Sequence, residues 1–273
     1  MGADPVISVE LVRQARRKRT WLALLAVVIV PIIIVTALAI NGPPRPEPGE
    51  GPFLLDVATR SGINFALFAL VATSQFLLVV VVALFAGDSL PSEASWGSLR
   101  YLLTRPVARS RLLTTKLSVA SMYALAAVAL VPVVSVIVGT MAFGWSGTVT
   151  PLGSQLDTGS SLARLLAATV YVAWDMATVV AIAFLLSTTT DAPLGAVGGA
   201  VIVIVVSEIL DAITALGVVR YALPTHYWLS WTAMLEPAGN TAEMARGALQ
   251  TAVYTAVALG VAWWWFSRKD VLS

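Results

Sequence analysis

The side chains able to do chemistry are few and unevenly placed. The chain has three lysines (Lys18, Lys116 and Lys269), one histidine (His226) and no cysteine. A P-loop needs glycine directly before lysine, so that backbone N–H groups and the ammonium cradle phosphate together. Here the lysines follow Arg17, Thr115 and Arg268. ATP hydrolysis by that route is not expected of this chain, and no catalytic residue is assigned. One histidine without cysteine gives no zinc ligand set. His226 lies in a connecting segment and reads as an interfacial loop residue rather than the base of an intramembrane protease.

Three acids stand within or beside apolar runs: Asp175, Glu208 and Asp211. Asp175 is central in the run from Leu165 to Leu186. An unpaired charge at the bilayer centre costs about 2.5–3.5 kcal/mol on insertion scales, so Asp175 must be neutral, paired or wet. It could line a translocation path, hydrogen-bond across a subunit interface, or bond a neighbouring helix backbone while protonated. Glu208 and Asp211 are three apart and share a helix face. They read as solvated carboxylates at a helix end, with a gate or cation site as the alternative. A basic cluster, Arg13, Arg16, Arg17, Lys18 and Arg19, precedes the first apolar run and suits a membrane surface.

The elements that must position these residues follow from composition. Of 273 residues, 58% are hydrophobic and 12% charged, against about 45–50% and about 25% in soluble domains. The apolar residues form long runs, which excludes a soluble enzyme and a disordered chain. A helix crosses the hydrocarbon core with about 20 apolar residues, and the runs predict six spans, near 21–40, 63–87, 117–143, 165–186, 194–216 and 247–267. The first run is too long for a signal-peptide core. The expected architecture is an all-α membrane protein of one domain, 1–273. Pro31 and Pro132 should kink the first and third spans.

Lys and Arg concentrate in cytoplasmic loops. Here they gather in the N-terminal tail, between Asp88 and Lys116, and after the sixth span at Arg268 and Lys269. The opposite side carries only Arg45, Arg60, Arg164, Arg220 and Arg246. Both termini are therefore expected in the cytoplasm, with Trp21 and Trp263, Trp264 and Trp265 at the inner interface. The three outer segments differ. The first, Asn41–Gly62, is proline-rich, and the second, Gly144–Leu162, is rich in Gly, Ser and Thr. The third, Gly217–Arg246, carries Tyr221, Tyr227, Trp228 and Trp231 and should dip into the headgroup layer.

The most informative stretch joins spans two and three. Ser92 can N-cap a short helix with Glu93 at its positive end. Trp96, Leu99, Leu102 and Leu103 recur at helical spacing. Pro106 disfavours helical geometry at Arg105 and ends the element. An amphipathic cytoplasmic helix of about three turns results, either lying on lipid or docking a partner. Glu93, the run Gly97-Ser98-Leu99-Arg100, then Leu103-Thr104-Arg105-Pro106 and Arg109 resemble the cytoplasmic signature of ABC-2 type permeases, with Ser98 where threonine is commoner. Leu223-Pro224-Thr225-His226-Tyr227 resembles that family's segment before its last span, and Arg268-Lys269-Asp270 agrees as well.

The resemblance implies the transmembrane subunit of a bacterial ABC exporter in the cytoplasmic membrane. It would pair with a second permease chain, identical or paralogous, and with two copies of an ABC ATP-binding subunit. ATP and Mg would be bound by that partner, leaving no cofactor in this chain. Glu93–Arg105 would be the coupling helix, with Glu93, Trp96, Gly97, Leu99, Arg100, Leu103 and Arg105 docking the ATPase. Val6–Arg19 would be an amphipathic connecting helix along the inner leaflet, and Gly217–Arg246 would hold short re-entrant helices. The substrate would be hydrophobic or amphipathic. The alternatives are a proton- or cation-coupled transporter using Asp175, Glu208 and Asp211, and a membrane anchor without transport.

Overall fold

The computed structural model describes residues 5–42, 54–91, 109–236 and 241–268. Among these the chain is helical, apart from one isolated bridge between Val149 and Gln155. The helices are α1 (Pro5–Ala15), α2 (Lys18–Asn41), α3 (Gly62–Ser74), α4 (Leu77–Gly87), α5 (Arg109–Phe143), α6 (Thr158–Thr189), α7 (Pro193–Ala212) and α8 (Ala242–Arg268). By length and composition α2, α5, α6 and α7 can each cross a membrane, and α3 with α4 adds a fifth crossing if the bent pair is one span. The protein is thus an all-helical, multi-pass membrane protein. α8, where the sixth span was expected, is a 27-residue helix that packs along α6.

α6 is the central element, touching α3, α4, α5, α7 and α8. Its buried side chains include Tyr171, Val172, Met176, Val179 and Phe184. α3 is buried almost throughout and α4 nearly so. α2 and α7 instead present Leu22, Ile29, Ile33, Ile202, Val206 and Ile209 outward. In a bilayer such faces meet lipid tails, which are as apolar as leucine.

The helices differ from the sequence expectation in five places. The second span is not one helix: α3 and α4 meet at a 55° bend around Gln75 and Phe76. No proline or glycine causes it. Thr73 Oγ1 donates to Ala69 O at 2.7 Å and Ser74 Oγ to Val71 O at 3.0 Å. Both hydroxyls bond back to carbonyls of the preceding turn, as Thr36 and Thr169 do within unbroken helices, and the break itself falls at Phe76, whose φ of −132° is non-helical. The fifth helix stops at Ala212 rather than 216, because Ile213 is extended (φ −83°, ψ 93°). α5 and α6 each begin before the apolar run, at Arg109 and Thr158. For α6, Asp157 caps the helix by accepting from the Ser160 N–H at 3.0 Å. Finally, the expected Val6–Arg19 helix divides: α1 ends at Ala15, Arg17 is extended, and Lys18 and Arg19 open α2. α2 and α5 run through Pro31 and Pro132 without interruption.

Candidate functional site

Polar side chains collect at the two ends of the bundle and at one point between them. The first end holds α1, the start of α2 and the end of α4. The start of α5 meets them there, and Phe184 of α6 lies 6.0 Å from Trp263 of α8. Asp88 follows α4 and is 1% exposed. Its Oδ2 accepts from Arg17 Nη1 at 2.5 Å and its Oδ1 faces Arg19 Nη1 at 2.5 Å. Burial pushes the Asp88 carboxyl above its ordinary value, while Arg19 and Arg17 pull it down. Lys116, also buried, donates to Glu10 Oε1 at 2.6 Å, and Tyr123 Oη to Leu11 O at 2.9 Å. Glu10 also faces Arg13 at 3.7 Å.

These bonds place the basic cluster. Arg17 and Arg19 turn to Asp88, while Arg16 and Lys18 are exposed. α1 sets Glu10 and Gln14 against the bundle and leaves Val9 and Val12 outside. Glu10 and Gln14 face protein, while Ser8 and Arg13 are exposed. Trp21 is exposed and donates to Ala15 O, and Arg268 stacks 4.5 Å over Trp264.

At the other end the chain after α7 folds back over the helix ends as two 3₁₀ segments, Thr214–Ala222 and Ser230–Leu235. Gly217, at φ 53°, makes the turn within the first. Side chains of three helices hold this cap. From α7, Ser207 Oγ and Thr225 Oγ1 share a hydrogen bond of 2.7 Å, and Asp211 Oδ1 pairs with His226 Nδ1 at 2.5 Å and faces Arg220 Nε at 3.5 Å. From α8, Gln250 Nε2 donates to Tyr221 O and Leu223 O, each at 3.0 Å, and Tyr254 Oη to Ala222 O. From α6, Arg164 donates to Leu235 O, and Tyr171 Oη bonds Tyr227 O and Ser230 Oγ. Edge-on rings of Tyr221 and Tyr227 flank His226.

Asp175 lies between these ends, buried, with Oδ1 accepting from Thr251 Oγ1 of α8 at 3.1 Å. Its Oδ2 has no hydrogen-bond partner among the described residues. α8 comes this close to α6 and the cap because residue 247 is glycine. A Cβ there would collide with Tyr171 Oη and lie 2.6 Å from Tyr227 Cβ.

The three acids do not form one site. Asp175 bonds α8, while Asp211 bonds the cap and is paired rather than simply solvated. Glu208 is half-buried, its Oε1 enclosed without a hydrogen-bond partner among the described residues. The cap folding back over α7 explains why these two acids differ from free helix-end carboxylates. Glu93, Trp96, Gly97, Leu99, Arg100, Leu103 and Arg105 lie outside the described residues, as do Lys269 and most of the proline-rich segment. The flanks of the 92–108 segment are described: Asp88 and Lys116 are both tied to the N-terminal region.

A family described as a protein of unknown function, DUF2705, matches residues 28–272. The chain belongs to the DUF2705 family. No curated protein matches it. The DUF2705 match takes in the helices from within α2 onward, together with Asp88, Lys116, Asp175, Glu208 and Asp211. Glu10, Arg17 and Arg19 precede it. In this DUF2705 member, sequence reasoning missed Asp88 as the partner of two arginines. An acid set directly after a charge-free run was the available signal. Thr251 and Tyr171, as partners of Asp175 and of the cap, left no such signal.

Proposed function

We propose that this chain is the membrane subunit of an ATP-driven, ABC-2 type exporter in the bacterial cytoplasmic membrane. The observation that carries this reading is the pattern from Glu93 through Gly97-Ser98-Leu99-Arg100 to Leu103-Thr104-Arg105-Pro106 and Arg109. The bonds of Asp88 and Lys116 to the N-terminal region support it. A cassette closing on the segment between them would pull on residues bonded to α1 and to the start of α2. The six-pass arrangement with both termini inside belongs to this reading, supported by the Lys and Arg asymmetry.

Two such chains would pair, each docking one ATP-binding subunit through the Glu93–Arg105 helix. ATP and Mg reside in that subunit, and this chain hydrolyses nothing itself. The cargo is hydrophobic or amphipathic. The buried Asp175, with one oxygen lacking a hydrogen-bond partner among the described residues, favours a second reading as a proton- or cation-coupled transporter. Against it, Asp175 and Asp211 have separate partners and share no hydrogen bond.

Purification of the tagged chain from native membranes tests both. The export reading expects a P-loop ATPase to co-purify, with nucleotide hydrolysis only when that subunit is present. It also expects transport to survive Asp175→Asn, which keeps hydrogen bonding without charge. Transport driven by a proton gradient without an ATPase, and abolished by Asp175→Asn in a folded protein, would overturn it.

A further inference from the structure

α5, α6 and α8 enclose a lateral trough of about 220 Å³. α5 lines it from Leu117 to Val128, α6 from Ala173 to Ala181, and α8 through Thr255 and Leu259. The α5 wall alone is roughly 16 Å long at about 1.5 Å per residue. No charged side chain lines the trough. Its side-chain polar groups are the hydroxyls of Ser121 and Thr255 and the Trp174 indole, which donates to Ala248 O at 2.9 Å. Thr255 Oγ1 is buried with no hydrogen-bond partner among the described residues. Leu125 and Trp174 are half-exposed at the outside of the bundle, so the trough opens sideways between helices long and apolar enough to span a membrane.

We propose that this trough holds a single acyl chain of a membrane phospholipid. Water is a poor filling for most of its volume, because each buried water needs two to four polar partners and the free side-chain ones among the described residues are two hydroxyls, enough for one water at most. A slender aliphatic chain suits both the shape and the apolar walls, and an apolar cavity of about 150 Å³ already accepts benzene. The bilayer supplies acyl chains at this depth in excess. The site requires only that α5 and α6 span the membrane, so it stands apart from the export reading.

The test uses the full chain in phosphatidylcholine vesicles containing a small fraction of phosphatidylcholine with a diazirine at mid-chain. After photolysis, labelled peptides are mapped by mass spectrometry. Segments 117–128 and 173–181 should carry several-fold more label than 202–209 of α7, which faces outward at similar depth. Ala177→Trp fills the trough and should lower its labelling to the α7 level without changing α7. Ser121→Phe fills it from the α5 side and should act alike, so the result does not hang on one variant's folding. Equal labelling of trough and α7 in the natural chain would mean bulk lipid only and would overturn the site. Trough labelling unmoved by both filling variants, or trough labelling well below the α7 level, as a second copy seated there would give, would overturn it as well.

Discussion

At the end of the bundle that carries α1, full charges hold the helices together: Arg17 and Arg19 on Asp88, Lys116 on Glu10. At the opposite end the 213–236 cap is held chiefly by hydroxyls, carbonyls and amides, with Asp211, His226 and Arg220 at its edge. The first arrangement concentrates large opposing terms in a few groups. Desolvation of Asp88 opposes the attraction of its arginines, and losing one partner strands the others. The second spreads modest bonds, each worth about 1 kcal/mol net, over three helices. One end can therefore change state through a few charges, whereas the other must unfasten many bonds together. The charge-held end flanks the 92–108 segment, which is where we propose that a partner docks.

The largest expected effect is at Asp88. Asp88→Asn leaves two guanidiniums facing a neutral amide and should cost about 3 kcal/mol, toward the low end for breaking a buried pair because Arg19 can reach solvent. Adding Arg17→Gln should recover part of the loss. Denaturant titration of the reconstituted protein gives both numbers, and an additive double variant would break the claim that these charges act as a unit.

At the cap, Gly247→Ala should cost about 1–3 kcal/mol, as overpacking does, because the new methyl meets Tyr171 and Tyr227. The bonds from Tyr171 to the cap should loosen with it, seen as faster amide exchange across 225–230. Unchanged exchange there would show that the cap does not depend on α6.

Asp211→Asn should cost about 1 kcal/mol, since both partners are only part-buried and reach water on release. Combining it with His226→Gln should give less than the sum. Strict additivity would remove His226 from the list of groups that hold the cap.

The smallest effect is a pH dependence at α6. Hydrogen bonds from Ser160 hold the Asp157 carboxyl below its ordinary value. Its contribution is present above the unfolded value of about 3.9 and is lost as pH falls through the lower folded value. Asp157→Asn should flatten the acid limb of the stability curve slightly, measured from pH 5 down to about 2.

Legibility in the sequence divided along physical lines. α2 follows its apolar run closely and α5, α6 and α7 contain or overlap theirs with shifted ends, because a helix that meets lipid shows its length in composition. The bend between α3 and α4 was hidden, since no proline or glycine marks it in the sequence. The basic cluster announced an end of the bundle but not its own partners. Pairing Arg17 and Arg19 with Asp88 needs a contact across 71 residues, which periodicity cannot supply. Asp175 stood out by cost alone, while Thr251, its partner, looks like any threonine on a spanning helix. Short helices within Gly217–Arg246 were expected from the family resemblance, but the bonds that fold 213–236 back were not legible, because several are carbonyls accepting from Gln250, Tyr254 and Arg164, and every sequence has carbonyls.

The measurement closest to the central claim is co-purification of a P-loop ATPase with the tagged chain, comparing the natural sequence with Trp96→Ala and Gly97→Pro. Trp96→Ala removes an aromatic anchor of a kind that often costs about 2 kcal/mol or more at an interface. Gly97→Pro removes a backbone donor and breaks a short helix. Membrane insertion and pairing of the chains should be unchanged in both, because no spanning helix is altered. The account predicts that the ATPase co-purifies with the natural chain and is lost from both variants. Full retention of the ATPase by both, or its absence from the natural chain in native membranes, would contradict it.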